Sequence, residues 1–123
     1  MVLDFGFLKE EMTTLIAAPC DHGFIIALAD TEFLDALAPL DEAPEGWRRR
    51  LAVVVREQGY CATFEGRLDT RLYVVPFQPT AERLARHWFE RLAPLVRARS
   101  EDLAVLTSVT VWETPNSRAD YVG

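Results

Sequence analysis

The segment "PTAERLARHWFERLAPLV", residues 79–96, constrains the fold more than any other stretch of this chain. Thr80 behind Pro79 is a good N-cap, and Glu82 suits the positive end of a helix. Leu84, Ala85, Trp88, Phe89, Leu92 and Val96 then recur at helical spacing as one apolar stripe. A stripe of that width has to be covered. The next run, "LAVLTSVTVWE", alternates β-branched and apolar residues in the manner of a strand, and "RADYVG" follows the turn "TPNS" as a short final strand. The chain therefore reads as α+β.

Upstream, Leu8, Met12, Leu15 and Ile16 share one helical face, predicting a helix over residues 7–18 that Pro19 closes. Asp30 or Thr31 caps a second, short helix through Phe33, Leu34 and Leu37, which ends before the loop "PLDEAPEGW". "RLAVVVRE" and "GYCATFEG", separated by Gln58 and Gly59, read as an extra hairpin over residues 51–65, with "TRLYVVPF" as a third strand.

At 123 residues and half hydrophobic, the chain is expected to form a single domain over residues 1–123. A net charge of -6 argues against nucleic acid and anionic membrane surfaces, both of which reward clustered Lys and Arg. Arg48, Arg49 and Arg50 follow Asp41, Glu42 and Glu45 and read as a solvated segment. No apolar run reaches the ~20 residues of a membrane span. Asp4 and Glu10 interrupt the N-terminus where a signal peptide would be basic and then apolar, so a cytoplasmic protein is expected. Cys20 and Cys61 are then free thiols. His22 and His87 are the only histidines, without a His-x-His or Cys-x-x-Cys pair, so a zinc site built from this chain alone is not expected. No Gly-rich phosphate loop is present.

Three places are candidates for chemistry. Cys20, Asp21 and His22 stand in a row, but consecutive side chains diverge on a helix or a strand, which disfavours a local triad. His87 lies off the apolar stripe among Arg83, Arg86 and Glu90 and reads as a solvated surface histidine. Strand alternation puts Val109, Val111 and Glu113 on one face, so that a carboxylate ends a row otherwise expected to be buried. Two readings stay open for Glu113. One is a salt bridge to an arginine such as Arg118; the other is a fork for a planar ligand offering two parallel N–H donors.

"VWETPNSRADY" is similar to the C-terminal signature of the 6-pyruvoyl-tetrahydropterin synthase and 6-carboxytetrahydropterin synthase family. "PTAERLARHWFERL" resembles that family's Pro-Thr-x-Glu-x-Leu-Ala helix, and "MVLDFGFLKEEM" followed by "CDHGF" resembles its Val-x-Asp-Phe-x-x-Leu-Lys stretch leading to an Asp-His pair. The three blocks stand in the family's order and leave residues 26–77 as an insertion. The resemblance implies the T-fold, an antiparallel sheet with two main helices on one face, here with the extra hairpin. It also implies a lyase, a pterin-like small-molecule substrate, and a homo-oligomer, a hexameric ring joined through strands.

Residue by residue, the resemblance gives Asp21 and His22 the catalytic Asp-His relay and gives Glu113 the anchoring of the pterin edge. Thr114 and Thr80 match positions near the substrate pocket, and Cys20 takes a place usually held by an inward-packed apolar residue. Zinc is expected for the family, on three histidines of an N-terminal strand pair that also carries a catalytic cysteine. "MVLDFG" resembles the end of the second of those strands, so the zinc ligands are expected to be absent from this chain. A start upstream of Met1, a short variant that binds pterin without turnover, and a degenerate fragment all stay open. The expected function is a 6-carboxytetrahydropterin synthase-like enzyme converting dihydroneopterin triphosphate in queuosine (7-deazaguanine) biosynthesis. The alternative is a non-catalytic pterin-binding T-fold homologue without zinc.

Overall fold

The structure, a computed structural model, describes residues 6–21, 23–114 and 116–123, with the backbone alone described at Glu113 and Thr114. In chain order the elements are α1 (Gly6–Met12), a π-helical turn (Thr13–Ala17), α2 (Ala18–Cys20), β1 (Phe24–Ala27), α3 (Thr31–Leu37), α4 (Pro44–Gln58), β2 (Cys61–Thr63), β3 (Leu72–Val75), α5 (Ala81–Arg99), β4 (Ser108–Thr114) and β5 (Ser117–Val122). They group into two compact units, Pro19–Pro79 on one side and Met1–Ala18 with Thr80–Gly123 on the other.

Within Pro19–Pro79, three strands lie in the order β1-β3-β2. β2 pairs antiparallel with β3, whereas β1 pairs parallel with it, from Phe24 opposite Leu72 to Ala27 opposite Val75. A parallel partner on an otherwise antiparallel strand was not expected from the sequence. It needs a long crossover, which α3, α4 and β2 supply. The central strand β3 is buried at all four positions, as a continuous apolar run in mid-sheet should be. Ile26, Cys61, Leu72 and Val74 form a core with Leu34, Leu37, Trp47, Leu51 and Val55 from α3 and α4.

Residues 51–58, expected as the first strand of a hairpin, are the second half of α4. The helix has every local marker. Pro44 stands in its first turn with Glu45, Arg56 lies in the last, and Gly59 ends it at φ 88°, its N–H bonding Val55 O at 2.7 Å. Trp47, Leu51 and Val55 fall on one face and are buried. Each helical valine gives up at most ~0.7 kcal/mol of propensity. Burying a leucine or valine side chain returns ~1.5–3 kcal/mol, so packing decides the state. Arg48, Arg49 and Arg50 are held by carboxylates, Arg48 by Asp35 at 2.5 Å, Arg49 by Glu45 at 2.5 Å, and Arg50 by Glu42 at 2.7 Å and Glu65 at 2.9 Å.

In the other unit, α5 is the helix that its sequence predicts. The Thr80 hydroxyl oxygen accepts from Arg83 N at 3.3 Å, and Ala81, Leu84, Ala85, Trp88, Leu92 and Val96 are buried. The helix runs on through Pro94, which forfeits one backbone hydrogen bond. It packs on the β4–β5 hairpin, where Val109 faces Tyr121 and Val111 faces Ala119. The Phe89 and Tyr121 rings meet edge to face at 5.1 Å. From α1, Glu10 and Glu11 reach Arg99 at the far end of α5, at 3.3 and 2.5 Å. The N-terminal helix is expected to close before Pro19 but reaches Cys20, and it is interrupted by the π-helical turn. There the Thr13 hydroxyl donates to Lys9 O at 2.9 Å, a back-bond known to bend helices. Among the described residues no helix is long and apolar enough to cross a membrane.

Candidate functional site

Asp21 follows directly on α2 and is exposed; His22 lies outside the described residues. The chain on either side of position 22 is fixed. Gly23 N donates to Cys20 O at 3.1 Å, and Phe24 N donates to Arg71 O at 2.9 Å. Arg71 also reaches back through Nη1 to Asp21 O, at 2.9 Å. Gly23 is required by this packing, since a Cβ there would stand 2.2 Å from the Arg71 carbonyl oxygen. Arg71 was missed in the sequence, where only the proximity of β1 and β3 could have revealed it. Cys20 is half-buried and Cys61 buried, and neither forms a disulfide. Burial pushes the Cys61 thiol pKa up, with the Glu65 charge adding and Arg50 opposing, which suits packing rather than a nucleophile.

Glu113 and Thr114 end β4, in the unit that also holds Thr80. The pairing of β4 with β5 shifts register between Trp112 and Thr114. The strict alternation that ranks Glu113 with Val109 and Val111 is therefore interrupted at Glu113 itself. Such irregularities re-aim side chains and are common beside active sites. Arg118, the partner in one reading of Glu113, lies opposite Trp112 with its guanidinium 5.4 Å from that ring's centre, and its Nε is 3.7 Å from Asp120 Oδ2. Thr80 is placed at the N-terminus of α5, its hydroxyl oxygen engaged as the cap. The expected site residues thus divide between the units, Asp21 and position 22 in one, Thr80, Glu113 and Thr114 in the other.

His87 is not the solvated surface histidine its neighbours suggest. It is half-buried, its ring centre 4.8 Å from that of Trp88 in an edge-to-face arrangement, and its pKa is pushed down to about 4. Burial is the main cause, Arg91 adds to it, and Glu90 opposes. In the same unit Leu8, Met12, Ile16, Trp88, Leu92 and Val109 line an apolar groove of about 440 Å³ that the sequence did not disclose. Among the described residues no titratable side chain lines it, so these residues offer burial rather than chemistry.

The chain has the α+β architecture of the T-fold, with antiparallel pairing in both sheets and α5 laid on the β4–β5 hairpin. A solved structure described as an uncharacterized protein from Wolinella succinogenes shares this fold, with a TM-score of 0.62 over 99% of this chain and 67% of that one, at 24% identity. Residues 1–123 match the model of the 6-pyruvoyl tetrahydropterin synthase family, and the chain belongs to that family. It is 29% identical over 121 residues to the 6-carboxy-5,6,7,8-tetrahydropterin synthase of Haemophilus influenzae. That alignment takes in 98% of this chain and 64% of the relative, so the chain spans a little under two thirds of the relative's length.

Members of this family are commonly zinc-dependent. The donors here do not fit a three-histidine centre. The sequence has only His22 and His87, which fall in different units, and among the described residues no group of three or more His, Cys, Asp or Glu could hold a metal ion.

Proposed function

We propose that this chain carries the pterin-recognition part of a 6-carboxytetrahydropterin synthase-like enzyme, acting on dihydroneopterin triphosphate toward queuosine. The supporting observation is that the family match runs from residue 1 to residue 123 and takes in Thr80, Glu113, Thr114 and the Asp21-His22 pair. In this reading the Glu113 carboxylate accepts two parallel N–H donors from the guanidine-like edge of the pterin. Asp21 orients the His22 imidazole, which carries a proton to or from the substrate side chain. Thr114 and Thr80 border the ring. The subunits form a homo-oligomer in the cytoplasm.

A second reading is pterin binding without turnover. The donor set favours it for this polypeptide, because two histidines cannot supply a three-histidine zinc site.

The shared premise is tested by fluorescence titration with dihydroneopterin. Glu113→Ala should weaken binding at least roughly tenfold, as expected when a hydrogen bond to a charged group is lost. Unchanged affinity would remove the premise from both readings. Turnover of dihydroneopterin triphosphate with added zinc then separates them.

A further inference from the structure

We propose that residues 38–43 and 64–69, from the loops before α4 and before β3, form a docking surface for a basic, apolar segment of a partner protein. Both stretches belong to the Pro19–Pro79 unit, and neither carries a residue that the pterin reading uses. Two arginines brace them against each other. Arg67 Nε donates to Ala38 O at 2.8 Å, while Arg50 on α4 closes on Glu42 at 2.7 Å and on Glu65 at 2.9 Å. Beside the Arg67 brace the two backbones pack closely, since a Cβ on Gly66 would stand 2.8 Å from Leu37 O.

On this braced pair stand three large apolar side chains that the fold does not bury. Leu40, between Ala38 and Glu42, is 85% exposed; Phe64, beside Glu65, is 58% exposed; and Leu68, beside Arg67, is 79% exposed. One exposed leucine is ordinary, but three such side chains on two braced loops are a surface that folding alone does not explain. Leu68 is also held at φ 71° and ψ 8°, with Asp69 following at φ 46°. A left-handed leucine costs stability, and an exposed one recovers none by burial; such outliers concentrate at functional sites and ligand clamps.

The neighbouring charges select the partner. Leu40 and Leu68 are each followed by an exposed aspartate, Asp41 and Asp69, and among the described residues neither forms an ion pair. Arg50 and Arg67 are already engaged in the braces. A segment that covers the leucines therefore has to bring aliphatic side chains interspersed with Lys or Arg. A second copy of this chain would bring the same aspartates and a net charge of -6, and an anionic membrane would be repelled in the same way. Because the loops are fixed beforehand, binding pays little to order them.

The test uses the whole chain and two fluorescein-labelled synthetic peptides with one leucine pattern, carrying lysines or glutamates at the polar positions. In anisotropy titrations the lysine peptide should bind and the glutamate peptide should not. Leu40→Ser and Leu68→Gly should each weaken lysine-peptide binding roughly tenfold or more. Asp41→Asn combined with Asp69→Asn should weaken it and flatten its salt dependence. Leu68→Gly separates docking from folding, because glycine accepts the left-handed backbone, so thermal stability should hold or rise while affinity falls. No binding of the lysine peptide, equal binding of both peptides, or affinity unchanged in both leucine variants would overturn the proposal. A loss of thermal stability in Leu68→Gly would also overturn it, because the side chain would then serve the fold. So would self-association in sedimentation, or retention on vesicles of phosphatidylcholine and phosphatidylglycerol, that both leucine variants abolish, since a second copy or a lipid surface would then be the occupant.

Discussion

The indole N–H of Trp47 donates to Glu65 Oε1 over 2.9 Å, from a ring that is 0% exposed. Arg50 closes on the same carboxylate oxygen at 2.9 Å and on Glu42 at 2.7 Å, so one guanidinium ties the loop before α4 to the chain after β2. Burial would by itself raise the Glu65 pKa, but the hydrogen bonds from Trp47 and Arg50 outweigh it and hold it below its ordinary value of 4.5.

Glu65→Ala should destabilise the protein by about 1–3 kcal/mol in chemical denaturation, because it strands a buried donor. Glu65→Gln keeps an acceptor and should cost less. The folded carboxyl binds its proton less tightly than the unfolded one. Its contribution is therefore complete above about 4.5 and is lost as pH falls through the lower folded value. Glu65→Gln should flatten that acid limb.

His87 gives a slope of the same sign in a different window. Its folded pKa of about 4 lies below the ordinary 6.5, so the unfolded chain takes up the proton first. Stability should fall as pH drops from about 6.5 toward 4 and become independent of this group below that. Denaturation midpoints at several pH values across that window should show a shallower decline for His87→Phe than for the wild type.

Thr80 separates capping from binding. Thr80→Ala should cost about 1 kcal/mol through loss of the α5 cap, and Thr80→Asp should restore it, as read from thermal unfolding. If Thr80 also borders the pterin, Thr80→Asp should keep the stability and still lose affinity for dihydroneopterin.

Legibility in the sequence followed how many independent signals agreed. At α5 the cap at Thr80, the acidic first turn and the apolar stripe all point the same way, and the helix is where they put it. At α4 they conflict. The run of valines at 53–55 suggests a strand, while Pro44, Gly59 and the spacing of Trp47, Leu51 and Val55 mark a helix, and burial settles the matter. The parallel pairing of β1 with β3 has no local signature, because it is a contact between distant segments. The hydrogen bonds of Arg71 with Asp21 and Phe24 were hidden for the same reason. At Glu113 the alternation rule was sound up to Trp112 and stops where the register shifts.

The division of the chain also has a bearing on its birth. Everything in Pro19–Pro79 leaves the ribosome as one uninterrupted stretch, whereas α1 emerges early and meets its partner α5 only after that stretch has passed. During translation Leu8 and Met12 of α1 and Ile16 of the π-helical turn stay uncovered by α5 until that stretch has passed. Slower synthesis prolongs that exposure, so the yield of intact protein should depend on growth temperature and on chaperones that shield nascent helices.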